Sequence, residues 1–221
     1  MIEQKTFIPG AAIFDMDGLM LDTEKPLARV WVQAAKELGW QVSEELMYST
    51  VGIDEAGTKA IILREYGADF PYQEIREKSR SILIEKAERE GIAHRPGLAL
   101  LLDHLDRLGV PLAVATSTGR EAALWKMEKG GIAGRFSVMV FGDEVKNGKP
   151  APDIFLLAAQ RLGKTPGQCV GFEDSPAGLR GLHSAGIQSV FVKDTVEPPQ
   201  EVLAGVWRRL DSLADALALF G

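Results

Sequence analysis

Residues 11–24 read AAIFDMDGLMLDTE, a short apolar run followed at once by Asp15, Asp17 and Asp22. The run at 11–14 has the length and composition of a buried strand. Carboxylates gathered at one strand end repel one another, so the stretch asks both what sheet the strand joins and what its end binds.

Four more runs of the same kind lie further along, at 111–115, 138–141, 169–172 and 189–192. Helical patterns at 119–129, 152–162 and 176–185 separate them. Strand and helix in alternation predict an α/β fold, a Rossmann-like core around a mostly parallel sheet. Almost 100 residues separate the first strand from the second, too many for one crossover. That segment is helical by pattern: Leu27, Val30, Trp31, Ala34, Ala35 and Leu38 recur at helical spacing, with Pro26 early and Gly39 at a C-terminal stop. Further helices are expected at 54–66, stopping at Gly67, and at 72–89, stopping at Gly91. Another begins near Pro96 and carries Leu98, Leu101, Leu102, Leu105 and Leu108 to Gly109. The expected organisation is a discontinuous core, 1–18 with 93–221, and an inserted helical cap at 19–92. Ligands of open α/β sheets sit beyond the carboxyl ends of the strands, so an insert springing from such an end is placed to act as a cap.

Composition narrows the function. The chain has 221 residues, 46% of them hydrophobic, enough for a substantial core. A formal charge of −6 with no Lys/Arg stripe argues against nucleic acid as partner. No stretch is apolar enough to span a bilayer, and the N-terminus has no secretory pattern. With Cys169 as the single cysteine, read as strand packing, the expectation is a cytoplasmic protein without disulfides. Monomer and homodimer both stay open.

The residues after the strands carry the chemistry. Asp15-Met16-Asp17-Gly18 follows the first, Thr116-Ser117-Thr118-Gly119 the second, and Glu173-Asp174-Ser175 the fourth, with Lys149 ahead of the helix that Pro152 starts. In a parallel sheet these groups share one rim. Hard oxygen ligands without His or Cys select Mg²⁺ over Zn²⁺; His94, His104 and His183 fall outside the motifs. An ionised Asp15 can attack a phosphoryl group to give an aspartyl-phosphate. Asp17 can then protonate the leaving oxygen and later take a proton from water. Thr116, the amides after it and Lys149 would hold the phosphoryl oxygens. Plainer readings exist for some of these: Thr116 and Ser117 as helix caps, Glu173 and Asp174 as first-turn acids, and Asp22 with Thr23 as a cap of the first insert helix.

The segments DMDGLMLDTE, ATSTG, GKPAPDIF and GFEDSPAGL, in this order and spacing, resemble the four motifs of the haloacid dehalogenase superfamily, in its branch with a helical cap between motifs one and two. The resemblance implies Asp15 as nucleophile, Asp17 as general acid/base, and Thr116, Ser117 and Lys149 as phosphate-binding residues. It implies Mg²⁺ held by Asp15, Asp174 and the main-chain carbonyl of Asp17, with Glu173 assisting. The expected activity is a Mg²⁺-dependent phosphatase acting on a small phosphorylated metabolite: a sugar, polyol or nucleoside monophosphate. Two alternatives are a sugar phosphomutase similar to β-phosphoglucomutase and a catalytically silent phospho-ligand binder. Mutases of that kind carry a His where this chain has Leu27, and an Arg in the cap loop where it reads VGIDEAG. Glu24 and the 51–54 loop, with Gly52 and Asp54, are the candidates for choosing the leaving group.

Overall fold

The computed structural model of the chain describes residues 8–50 and 55–220. In chain order its main elements are β1 (Ala11–Phe14), α1 (Glu24–Glu37), α2 (Glu44–Tyr48), α3 (Glu55–Tyr66), α4 (Tyr72–Glu90), α5 (Leu98–Arg107), β2 (Leu112–Ala115), α6 (Arg120–Lys129) and β3 (Val138–Val140). Then come α7 (Asp153–Arg161), β4 (Cys169–Glu173), α8 (Pro176–Ala185), β5 (Gln188–Val192), α9 (Gln200–Leu203) and β6 (Arg208–Leu210). The six strands form one parallel sheet in the order β3-β2-β1-β4-β5-β6. The chain therefore reverses its winding direction beside β1, where such sheets open a crevice. Phe14 pairs in register with Val114 on one side and Phe172 on the other, which sets the ends of β1, β2 and β4 level.

Burial explains which strands the pattern revealed. β1, β2 and β4 are buried along their whole length and read as apolar runs. β6 is an edge strand with Arg208 and Arg209 exposed, so it carries no such run and was not expected. The five-residue α2 is too short for periodicity and starts on Ser43, whose Oγ accepts from Leu46 N at 3.1 Å.

The described residues divide into two compact units, one drawn from Met1–Leu21 and Ala93–Gly221, the other Asp22–Ile92. In the first, Ile13, Ala113, Ala115 and Cys169 pack against Phe155 of α7 and Leu182 of α8. A Cβ at Gly171 would overlap Leu182, so the glycine lets α8 lie close to the sheet. In the same unit the Phe14 and Phe172 rings stack at 4.7 Å, and Phe220 meets Phe172 edge-on. Each buried phenylalanine contributes on the order of 2 kcal/mol of transfer free energy. The second unit is all helical. Its core joins Trp31, Ala34 and Ala35 of α1 to Met47, Ile62 and Ile75, and Trp31 meets Tyr72 at 5.3 Å. Trp40 and Tyr48 are packed against this core. Leu27, expected on the apolar stripe of α1, is instead 38% exposed.

The division falls after Leu21 rather than after residue 18. Leu19, Met20 and Leu21 are fully buried. Leu21 forms a bridge with His94, and Arg95 N donates to Met20 O at 2.8 Å. Outgoing and returning connectors are thus paired to each other on the sheet unit. No helix among the described residues is long and apolar enough to cross a membrane.

Candidate active site

The rim of the sheet unit is organised by Lys149. Its side chain, 5% exposed, enters from the loop before α7 over the face of Phe155. Nζ donates to Asp15 Oδ1 at 2.5 Å and to Glu173 Oε1 at 2.6 Å. Lys146, its neighbour in sequence, is exposed. Glu173 is fully buried at the end of β4, and its Oε2 accepts from Asp174 N, Ser175 N and Ser175 Oγ. Ser175 in turn caps α8, its Oγ accepting from Gly178 N at 3.0 Å. Ser175 therefore takes the capping role, and Glu173 lies in the strand rather than in a first helical turn.

Burial pushes the Asp15 carboxyl up to about 8; Glu173 and Asp17 add to the rise, against the attraction of Lys149. Lys149 goes the other way from what burial alone would do: desolvation lowers it, but Asp15 and Glu173 together hold the ammonium well above the usual lysine value. Ligand oxygens of Asp15, Glu173 and Asp174 come within 4.8 Å of one another, and all three residues are buried. Three carboxylates around Lys149 gather negative charge in a poorly solvated place. Three hard oxygen donors at that spacing fit a divalent cation. Gly18, with φ of +81°, makes the turn after Asp17, and a Cβ there would overlap the Asp174 carboxylate.

Asp17 faces other partners. Thr118 Oγ1 donates to its Oδ2 at 2.7 Å and Lys126 Nζ to its Oδ1 at 2.6 Å. Thr116 is buried behind β2, its Oγ1 accepting from Thr118 N at 3.1 Å. Ser117 is exposed, and its carbonyl lies against Gly142, where no Cβ would fit. Asp15, Thr116, Lys149, Glu173 and Asp174 are thus buried or nearly so at the strand ends, with Asp17 partly exposed beside them.

Glu24 belongs to the helical unit, where it lines a hollow of about 360 Å³ with Trp31, Tyr72, Arg76 and Arg80. Arg76 is paired with Glu55 at 2.7 Å. Gly52 and Asp54 lie outside the described residues. Thr23 makes no side-chain cap of α1, and Asp22 Oδ1 is buried with no hydrogen-bond partner, so the expected capping by these two is not what the structure has. All three histidines have structural partners: His94 with Gly130 O, His104 with Phe220 O, His183 with Ser189 Oγ. The sequence reading gave no role to Lys126, Thr118, Ser175 or the Arg95–Asp194 ion pair at 2.8 Å. Thr118 and Ser175 sit inside the motifs and were within reach; Lys126 is one of two lysines on α6, and nothing local marks it.

A family model described as haloacid dehalogenase-like hydrolase matches residues 9–186. The "Phosphorylated carbohydrates phosphatase" of Thermotoga maritima is 34% identical over 184 residues, covering 82% of this chain and 83% of its own. "Hexitol phosphatase A" of Escherichia coli is 35% identical over 190 residues, covering 85% of each. Among solved structures, CbbY from Rhodobacter sphaeroides in complex with phosphate superposes with a TM-score of 0.75 at 28% identity, over 94% of this chain and 96% of that one.

Proposed function

Since the chain belongs to the haloacid dehalogenase-like hydrolase family, we propose that it is a Mg²⁺-dependent phosphatase that hydrolyses a small phosphorylated metabolite through an aspartyl-phosphate on Asp15. The observation that carries this reading is the buried group of Asp15, Glu173 and Asp174 around Lys149. Such a group gives a nucleophile, a cation site and a phosphoryl-binding cation in one place. Asp15, Asp174 and the main-chain carbonyl of Asp17 would hold Mg²⁺, with Glu173 assisting; when bound, the ion offsets the repulsion between the attacking carboxylate and the phosphoryl oxygens.

In the first half-reaction an Asp15 oxygen attacks phosphorus in line while the bond to the leaving oxygen breaks. Asp17 gives that oxygen its proton. Thr116, Ser117 and Lys149 hold the equatorial oxygens, where charge accumulates. In the second half-reaction water attacks the aspartyl-phosphate, Asp17 takes the proton, and Asp15 is regenerated with release of phosphate.

The helical unit, expected as the cap, would choose the leaving group, with Glu24, Gly52 and Asp54 as its candidate contacts. The names of the two relatives, for phosphorylated carbohydrates and hexitols, favour a sugar or polyol monophosphate. A free metabolite as substrate and a single buried, unpaired Cys169 agree with a cytoplasmic enzyme.

The test is phosphate release from a panel of sugar, polyol and nucleoside monophosphates, with Mg²⁺ and with EDTA, and with Asp15→Asn as blank. Metal-dependent release absent from the blank is expected. Full activity of Asp15→Asn removes the covalent mechanism; isomer conversion without phosphate release makes the protein a mutase.

A further inference from the structure

The two aspartates of the first motif have different lysines. Lys149 reaches Asp15 and Glu173, whereas Lys126, on the second turn of α6, reaches Asp17. Each Asp17 oxygen has its own donor: Lys126 Nζ at 2.6 Å on Oδ1, Thr118 Oγ1 at 2.7 Å on Oδ2. With side chains 26% and 20% exposed, Lys126 and Asp17 are partly shielded from water. The backbone under Asp17 is fixed as well, through the positive φ of Gly18 and the bond from Gly18 N to Leu21 O at 3.0 Å. A carboxylate tethered at both oxygens on a fixed backbone has lost its rotational freedom about χ1 and χ2.

We propose that Lys126 is a positioning residue that holds Asp17 in place for proton transfer; this rests on the reading of Asp17 as the general acid/base. Lys126 itself neither gains nor loses a proton in the reaction. When the Asp15–phosphorus bond forms and the phosphorus–oxygen bond breaks, the proton passes from Asp17 to the leaving oxygen. When water cleaves the aspartyl-phosphate, its proton passes to Asp17. Without Lys126 the carboxyl swings about its side-chain torsions, and the cost falls on the steps in which that proton moves.

The cost is readable from the leaving group. An alkoxide is strongly basic and leaves only with a proton, whereas a nitrophenolate leaves without one. Lys126→Met should therefore lower kcat/KM for a hexitol monophosphate by about 10²-fold, the lower end of what general acid catalysis contributes, and leave kcat/KM for p-nitrophenyl phosphate little changed. Lys126→Arg, which keeps a charged donor, should restore most of the loss on the hexitol ester. Equal losses on both esters would mean a merely structural role and overturn the proposal, as would no loss on either, or an arginine variant no better than methionine. No turnover by the native enzyme of either ester, or of any sugar, polyol or nucleoside monophosphate in the panel, overturns the underlying reading and the inference with it.

Discussion

There is no room for a Cβ at Gly178, because the carboxylate of Glu173 fills that space. The strand-end carboxylate thus rests against the first turn of α8, where Ser175 and the Asp174 amide hold its other oxygen. Gly178→Ala must move Glu173, and Lys149 with it. The expected result is a loss of about 1–3 kcal/mol of stability, as for an overpacked core, with a fall in kcat. Gly134→Ala, which meets nothing within 4 Å, serves as control and should be nearly neutral in denaturant melts and phosphate release.

Lys149 is an ammonium shared by Asp15 and Glu173. On the proposed reading Lys149→Met removes a phosphoryl-oxygen donor from a site with little water, so kcat should fall by about 10²–10³. Lys149→Arg should not restore it, because a planar guanidinium does not fit a slot made for a compact ammonium between two carboxylates and the Phe155 ring. Steady-state kinetics on both variants check this; recovery with arginine would mean that charge alone suffices.

What was legible in the sequence follows from burial. β1 and β4 are buried on both faces, so AAIF and CVGF stand out without any knowledge of the fold. The strand ends were legible because chain order and parallel topology together place Asp15, Thr116, Lys149 and Glu173 on one rim. The Asp17–Lys126 pair was not, because it joins a loop to one residue of a helix whose composition is ordinary. β6 was hidden by its exposed arginines, and the connector 19–21 by looking like the start of the insert, although its three residues are fully buried in the sheet unit. Local pattern reports burial and turns; it does not report which distant side chain closes an ion pair.

For the Mg²⁺ site proposed at Asp15, the raised carboxyl predicts a pH dependence of binding. With the carboxyl pushed up to about 8 from an ordinary 3.8, the cation-free side chain is expected to carry a proton at neutral pH that the ion must displace. Affinity should fall about tenfold per pH unit as pH is lowered from 8 to 6, with about one proton released on binding. Stability of the cation-free protein runs with the opposite sign. The folded state binds the extra proton, so the cation-free protein loses stability as pH rises between 3.8 and 8. The thermal gain from Mg²⁺ should accordingly grow with pH. Calorimetry in buffers of different ionisation enthalpy reads the released proton directly, and a pH-independent affinity would show that Asp15 is already ionised without the ion.

His183 gives a second, separate pH dependence, in the acid range. Its ring lies near the end of α8, with Nε2 2.9 Å from the buried Ser189 Oγ and its edge against Gly205. Burial lowers its pKa below the ordinary 6.5. The unfolded chain therefore takes up the proton first as pH falls. Stability is unaffected above about 6.5 and declines below it, down to the lowered folded value, with a slope no steeper than about 1.4 kcal/mol per pH unit for one group. His183→Gln keeps a hydrogen-bonding group toward Ser189 and removes the titration. Thermal melts of the native protein and this variant between pH 5 and 7.5 should converge toward the acid end, the native protein losing more; parallel curves would show that His183 takes no part in the acid loss.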